Sequence, residues 1–174
     1  MTYAAGDQAP DFSFSDHTGK QWSYPADFSS GNLALFFLRH LGCPLCKDKI
    51  EELKNGWQSF QDKSITLAAV VQSTPKRAAS YAERAGIPFL LVPDREKSLY
   101  ELFGLRRGGA REYMTPSVMG ATIRATFKGH MHGRFEGDEF QMPGAFLLSP
   151  DGKVLRAHYG KNVSDFGDVS LFLA

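Results

Sequence analysis

Two cysteines, Cys43 and Cys46, make up the whole thiol complement of the chain, and they stand together in LRHLGCPLCKDKIEEL. At this spacing one thiolate can attack and the other can resolve the product within the same chain, so no third cysteine is needed. The same pair is also half of a zinc site, and free cysteines are often plain core residues. An ordinary thiol is only about 3% ionised at neutral pH, so redox chemistry needs an environment that favours the anion. Pro44 suits the first position of a helix, where its missing N–H costs nothing. Cys43 would then cap that helix and Cys46 would lie in its first turn, both near unpaired N–H groups and the positive end of the dipole. His40 and Lys47 are candidates for further tuning of the thiolate.

For the metal reading, His130 and His132 would complete a set of two thiolates and two imidazoles. Their HxH lies in a stretch without strong patterning, and no bound metal or cofactor is expected.

The elements around the cysteines can be read from pattern. LALFFLR (33–39) is a continuous apolar run and predicts a buried strand leading into the helix. Along that helix Ile50, Leu53, Trp57 and Phe60 form an apolar stripe at helical spacing. SITLAAVVQS (64–73) predicts a strand. Residues 74–86 predict a helix capped by Thr74, with Pro75 inside and Gly86 past its end. A strand at 88–94 and a helix at 95–104 complete a β-α-β-α-β-α order, which argues for a parallel sheet covered by helices. FSFSDHTGKQWSY (12–24) reads as a hairpin near the amino terminus. GAFLLSPDGKVLRAHYG reads as a strand, an Asp-Gly turn and a strand. SDFGDVSLFL predicts a closing helix.

Residues 105–141 break the rhythm, with a possible helix in TPSVMGATIRATF. They carry Arg106, Arg107, Arg111, Arg124, Lys128 and Arg134 against few acids: a solvated loop, or else a docking surface beside the site.

At 174 residues the chain suits one domain spanning 1–174. A net charge of +1 gives no global pull toward nucleic acid or membranes. The amino terminus lacks a signal-peptide pattern. A cytoplasmic location is expected, where CxxC pairs are more often catalytic or metal-binding than structural.

Several stretches taken together resemble a known family. The strand running into CPLC at a helix start looks like the active site of the thioredoxin superfamily, and MPGAFLLSPDGKVLRAHYG looks like that superfamily's later hairpin. GDQAPDFSFSDHTGKQWSY, ITLAAVVQSTPKRAASYAERAGIPFLLVPDREKSLYELFGL and the late FGD are similar to its alkyl hydroperoxide reductase/thiol-specific antioxidant branch, the peroxiredoxin-like proteins. The resemblance implies a thioredoxin-like α/β fold: a central mixed sheet, helices on both faces and an amino-terminal hairpin. It also implies that Met142–Pro143 is cis, with Pro143 beside Cys43 and the Met142 backbone turned toward substrate.

The departures shape the expected activity. Typical peroxiredoxins place a proline and a threonine seven and three residues before the peroxide-reacting cysteine. Those positions hold Arg39 and Cys43 if Cys46 takes that role, and Phe36 and His40 if Cys43 does. The family's facing arginine falls on Pro143. This favours reversible dithiol–disulfide exchange by Cys43 and Cys46. The alternatives are a peroxidase working through a cysteine sulfenic acid and a zinc- or partner-binding module without turnover. Thioredoxin analogy makes Cys43 the attacker, whereas the peroxiredoxin alignment gives that role to Cys46. The implied partners are a protein or small-molecule disulfide or a hydroperoxide, and a thiol electron donor of thioredoxin or glutathione type.

Overall fold

A computed structural model describes residues 1–133 and 136–174. Arg134, counted above among the cations of the irregular segment, lies outside the described residues.

The chain opens with an antiparallel hairpin of β1 (Phe12–Ser15) and β2 (Gln21–Tyr24). Strand β3 (Asn32–Phe37) leads to helix α1 (Pro44–Asp62), then β4 (Ile65–Val71), α2 (Pro75–Ala85), β5 (Leu90–Pro93) and α3 (Ser98–Leu102). Two further helices follow, α4 (Ala110–Tyr113) and α5 (Pro116–Phe127), before the closing strands β6 (Gly144–Leu148) and β7 (Val154–Tyr159). The main sheet runs β5-β4-β3-β6-β7. β3, β4 and β5 are parallel, and β6 and β7 are antiparallel, so the sheet is mixed.

β3 is the central strand, and both its faces are dry. Leu33, Leu35 and Phe37 enter one core with Tyr100, Phe103, Phe146 and the aromatic residues of the hairpin. Ala34, Phe36 and Leu38 enter the other, with Ile50, Leu53 and Phe60 of α1. A strand buried on both sides must be apolar throughout, which is why LALFF shows no alternation. The stripe expected on α1 does pack inward, with Trp57 partly buried at its edge.

The local signals act as read. Thr74 Oγ1 accepts from Arg77 N at 3.3 Å, and Gly86 takes the left-handed conformation (φ 59°) that ends α2. Gly152 (φ 84°) turns the chain between β6 and β7. Pro44 is the first residue of α1, and Cys43 is its cap.

Two expectations need correction. The closing helix is only a short 3-10 turn, Val169–Phe172, because Gly167 (φ 82°) and Asp168, whose carboxylate accepts from Ser170 N, start it late. Among the described residues the cis peptide bond is Tyr24–Pro25 and not Met142–Pro143. The Met142 backbone is engaged within the protein: its N–H donates to Arg106 O (3.2 Å), and its carbonyl accepts from Gln141 Nε2 (3.3 Å).

Among the described residues, no helix is long and apolar enough to cross a membrane.

Candidate active site

The site forms where β3 ends, at the carboxyl edge of the parallel strands, where open α/β sheets place their ligand sites. The strand direction continues past Phe37: Leu38 N donates to Val70 O (2.9 Å), and Gln72 N donates to Arg39 O (2.8 Å). This holds Arg39 in line with the sheet, and the chain then turns over His40–Gly42 into α1.

Cys43 and Cys46 are free thiols, 1% and 0% exposed, and approach to 3.3 Å. Arg39, itself 2% exposed, serves both. Its Nη2 donates to Cys43 Sγ at 2.7 Å, and its backbone N–H points to Cys46 Sγ at 3.3 Å. The guanidinium is anchored from the far end of the chain. Nη1 donates to the Glu139 backbone oxygen (2.8 Å) and to its Oε2 (3.2 Å), and the Tyr113 ring lies 5.6 Å from the guanidinium carbon.

A buried cation against two thiols changes which protonation state is stable. Burial pushes Cys46 up, but the Cys43 hydrogen bond, the Arg39 charge and the backbone N–H groups of Arg39 and His40 outweigh it and bring it down to about 7. Burial and the adjacent Cys46 hold Cys43 well above the ordinary thiol value, with Arg39 acting in the other direction. Since Arg39 Nη2 touches Cys43 itself, the charge is not confined to Cys46. The Cys43 thiol donates to Cys46, and the two sulfurs titrate as a pair whose first negative charge rests mainly on Cys46. Arg39 stays charged: burial disfavours its cation, but the two thiols and Glu139 raise its pKa above the ordinary value.

The other expected tuning residues stand elsewhere. His40 is fully buried, but its ring faces Glu139: Nε2 lies 2.5 Å from Glu139 Oε1, and Nδ1 accepts from Gly42 N at 3.1 Å. Lys47 donates to Met131 O at 2.8 Å. Neither side chain is bonded to a sulfur; Arg39 does what was expected of them. Its sequence signal was a cation closing an apolar strand four residues ahead of Cys43.

A cavity of about 290 Å³ opens beside Cys43, walled by Arg39, Pro44, Leu45, Tyr113, His132 and Glu139, with one face of α5 completing it. Neither Met142 nor Pro143 contributes to its walls. Cys43 faces this space and Cys46 lies behind it, fully covered.

The zinc set considered from sequence is not assembled. His130 turns to α1, with Nε2 3.0 Å from Glu51 Oε2. A different group, His40, His132 and Glu139, gathers three ligand-type atoms within 4.8 Å of one another. A metal on His40 Nε2 would need the ring proton on Nδ1, facing an acceptor. Nδ1 instead receives the Gly42 N–H, which places the proton on Nε2, toward Glu139. The trio therefore fits a hydrogen-bonded relay and not a metal. His40, Arg39 and His132 together hold the Glu139 carboxyl below its usual range against the opposing effect of burial.

Comparison with known proteins places this geometry in context. A family model described as AhpC/TSA antioxidant enzyme matches residues 52–162. Peroxiredoxin-like 2C of Bos taurus is 24% identical over 91% of this chain and 73% of its own length. Peroxiredoxin Bcp of Escherichia coli K12 is 25% identical over 96% of this chain and 92% of its own. Among solved structures, peroxidoxin BcpB from Mycobacterium tuberculosis superposes with a TM-score of 0.71 at 18% identity, covering 98% of this chain and 94% of that one. Peroxiredoxin Q of Xanthomonas campestris gives 0.69 at 19%, covering 97% and 96%. These likenesses are to thioredoxin-fold peroxiredoxins. The matched family span begins after Cys46, so the roles of the two cysteines rest on geometry.

Proposed function

The chain belongs to the AhpC/TSA antioxidant enzyme family, and on that premise we propose that Cys43, Cys46 and Arg39 reduce small hydroperoxides through a dithiol–disulfide cycle. The protein is a thiol-dependent oxidoreductase of the peroxiredoxin-like kind. The observation that carries the finer reading is the Arg39 Nη2–Cys43 Sγ contact of 2.7 Å at the wall of the cavity. It sets a fixed cation where charge develops on peroxide oxygen, beside a thiol pair whose first charge rests mainly on Cys46. With Cys43 only 1% exposed, a small oxidant can enter, whereas a disulfide on a folded protein would need the walls to open.

Cys43 passes its proton to the Cys46 thiolate beside it and attacks the terminal oxygen of R–O–O–H as the thiolate. The O–O bond breaks, its electron pair leaves with RO⁻, and Cys43 becomes a sulfenic acid. A proton converts RO⁻ to ROH. Cys46 then attacks the Cys43 sulfur, forming the disulfide and releasing water. The sulfurs start 3.3 Å apart and must close to about 2.05 Å, a small movement for a helix first turn. A thiol donor of thioredoxin or glutathione type restores the pair by exchange. In this cycle Cys43 attacks and Cys46 resolves, since Cys43 faces the cavity.

Mass spectrometry tests the cycle. Reduced protein treated with one equivalent of hydroperoxide should lose two hydrogens, both within the peptide that carries Cys43 and Cys46. Two free thiols persisting after complete peroxide exposure would overturn it.

A further inference from the structure

The reaction proposed above leaves an alkoxide that must be protonated, and the geometry points to His132 as its acid. Backside attack by Cys43 drives the leaving oxygen away from Sγ, into the cavity and toward the wall beyond. Among the described residues, the proton-bearing groups of that wall are few. Thr122 Oγ1 donates to Val118 O (2.8 Å) and Thr126 Oγ1 to Thr122 O (2.9 Å), so both hydroxyl protons are engaged along α5. Glu139 is held as a carboxylate by Arg39 and His40. Arg39 is too weak an acid to release its proton. Tyr113 and His132 remain, and an imidazolium is far the stronger acid.

The surroundings of His132 suit that task. Nδ1 donates to Gly133 O at 2.7 Å, which fixes the ring and directs Nε2 to the side of Glu139, 3.5 Å from Oε1. The Glu139 carboxylate that His132 faces is braced behind by His40. Glu139 and His40 thus act as positioning residues, and His132 as the group that meets the leaving oxygen. Its side chain is 36% exposed, so water can reprotonate it between turnovers. The step balances: Cys43–S⁻, R–O–O–H and imidazolium give Cys43–S–OH, ROH and neutral imidazole.

The test varies the leaving group. In His132→Gln, oxidation of the reduced protein by tert-butyl hydroperoxide should slow by about 100-fold, the low end of what a positioned acid supplies. Oxidation by peracetic acid should stay within about threefold of the unsubstituted protein, because acetate leaves without a proton and only the acid's contribution is lost. Equal slowing with both oxidants would mean a structural role, and no change with either would remove His132 from the reaction. If Tyr113→Phe alone gave the selective loss, the acid would be Tyr113. Peracetic acid converting unsubstituted protein to the Cys43–Cys46 disulfide keeps the cycle intact whichever way His132 falls.

Discussion

Replacing Arg39 with methionine should slow oxidation of the reduced protein by hydroperoxide about 100- to 1,000-fold, the usual loss for a preorganised donor aimed at developing charge. Two effects combine. With Arg39 gone, burial dominates, and the first ionisation of the thiol pair moves up from about 7. At neutral pH the thiolate is then scarce, and raising the pH should restore that part of the rate. The second effect is the loss of the cation at the peroxide, which no pH recovers. The pH–rate profile therefore separates them: in the unsubstituted protein the rate should rise with pH and level off above about 7. The variant should level off later and lower. Arg39→Lys keeps the charge without the fork that reaches Cys43 and Glu139 together, so it should recover the profile only in part. An Arg39→Met protein that keeps both rate and midpoint would remove the guanidinium from the chemistry.

Cys46→Ser should stop the cycle at its midpoint. Cys43 still meets the peroxide, but no second sulfur lies behind it, so the product should be one oxygen heavier and not two hydrogens lighter. Excess peroxide should carry it on to sulfinic acid. Turnover then depends on external thiol. Even a modest effective molarity of about 10 M for Cys46 would make internal resolution about 1,000-fold faster than attack by about 10 mM external thiol. Steady-state turnover should fall by that order, while the first oxidation persists. Cys43→Ser should lose the first oxidation too. If Cys46 were the attacker, the two variants would exchange behaviour, and their comparison assigns the roles.

What could be read from the sequence was local. Continuous burial of LALFF, proline after Cys43, the Thr74 and Gly86 caps and the Asp151-Gly152 turn each depend on residues within a few positions, and each stands where pattern put it. Arg39 could not be read this way. It looked like a missing family proline, and its role depends on Glu139, 100 residues later in sequence. The stretch 105–141 resisted for the same reason: α5 carries small and mixed side chains, and what orders it is contact with α1 and the Cys43 cavity. Pro143 falls on the family position of an arginine, and the cation that touches Cys43 here is Arg39, just past the end of β3. The tuning assigned to His40 and Lys47 followed proximity in sequence, but their side chains turn to Glu139 and Met131.

Stopped-flow oxidation of the reduced protein by tert-butyl hydroperoxide and by a small-molecule disulfide, side by side at equal concentration, tests the central claim most directly. Arg39 beside Cys43 predicts that the hydroperoxide reacts at least about 100-fold faster, because the fixed cation stabilises charge on leaving oxygen far more than on a leaving thiolate. A disulfide that oxidises the pair as fast as the hydroperoxide, or faster, would contradict the account and make exchange the chemistry of the site.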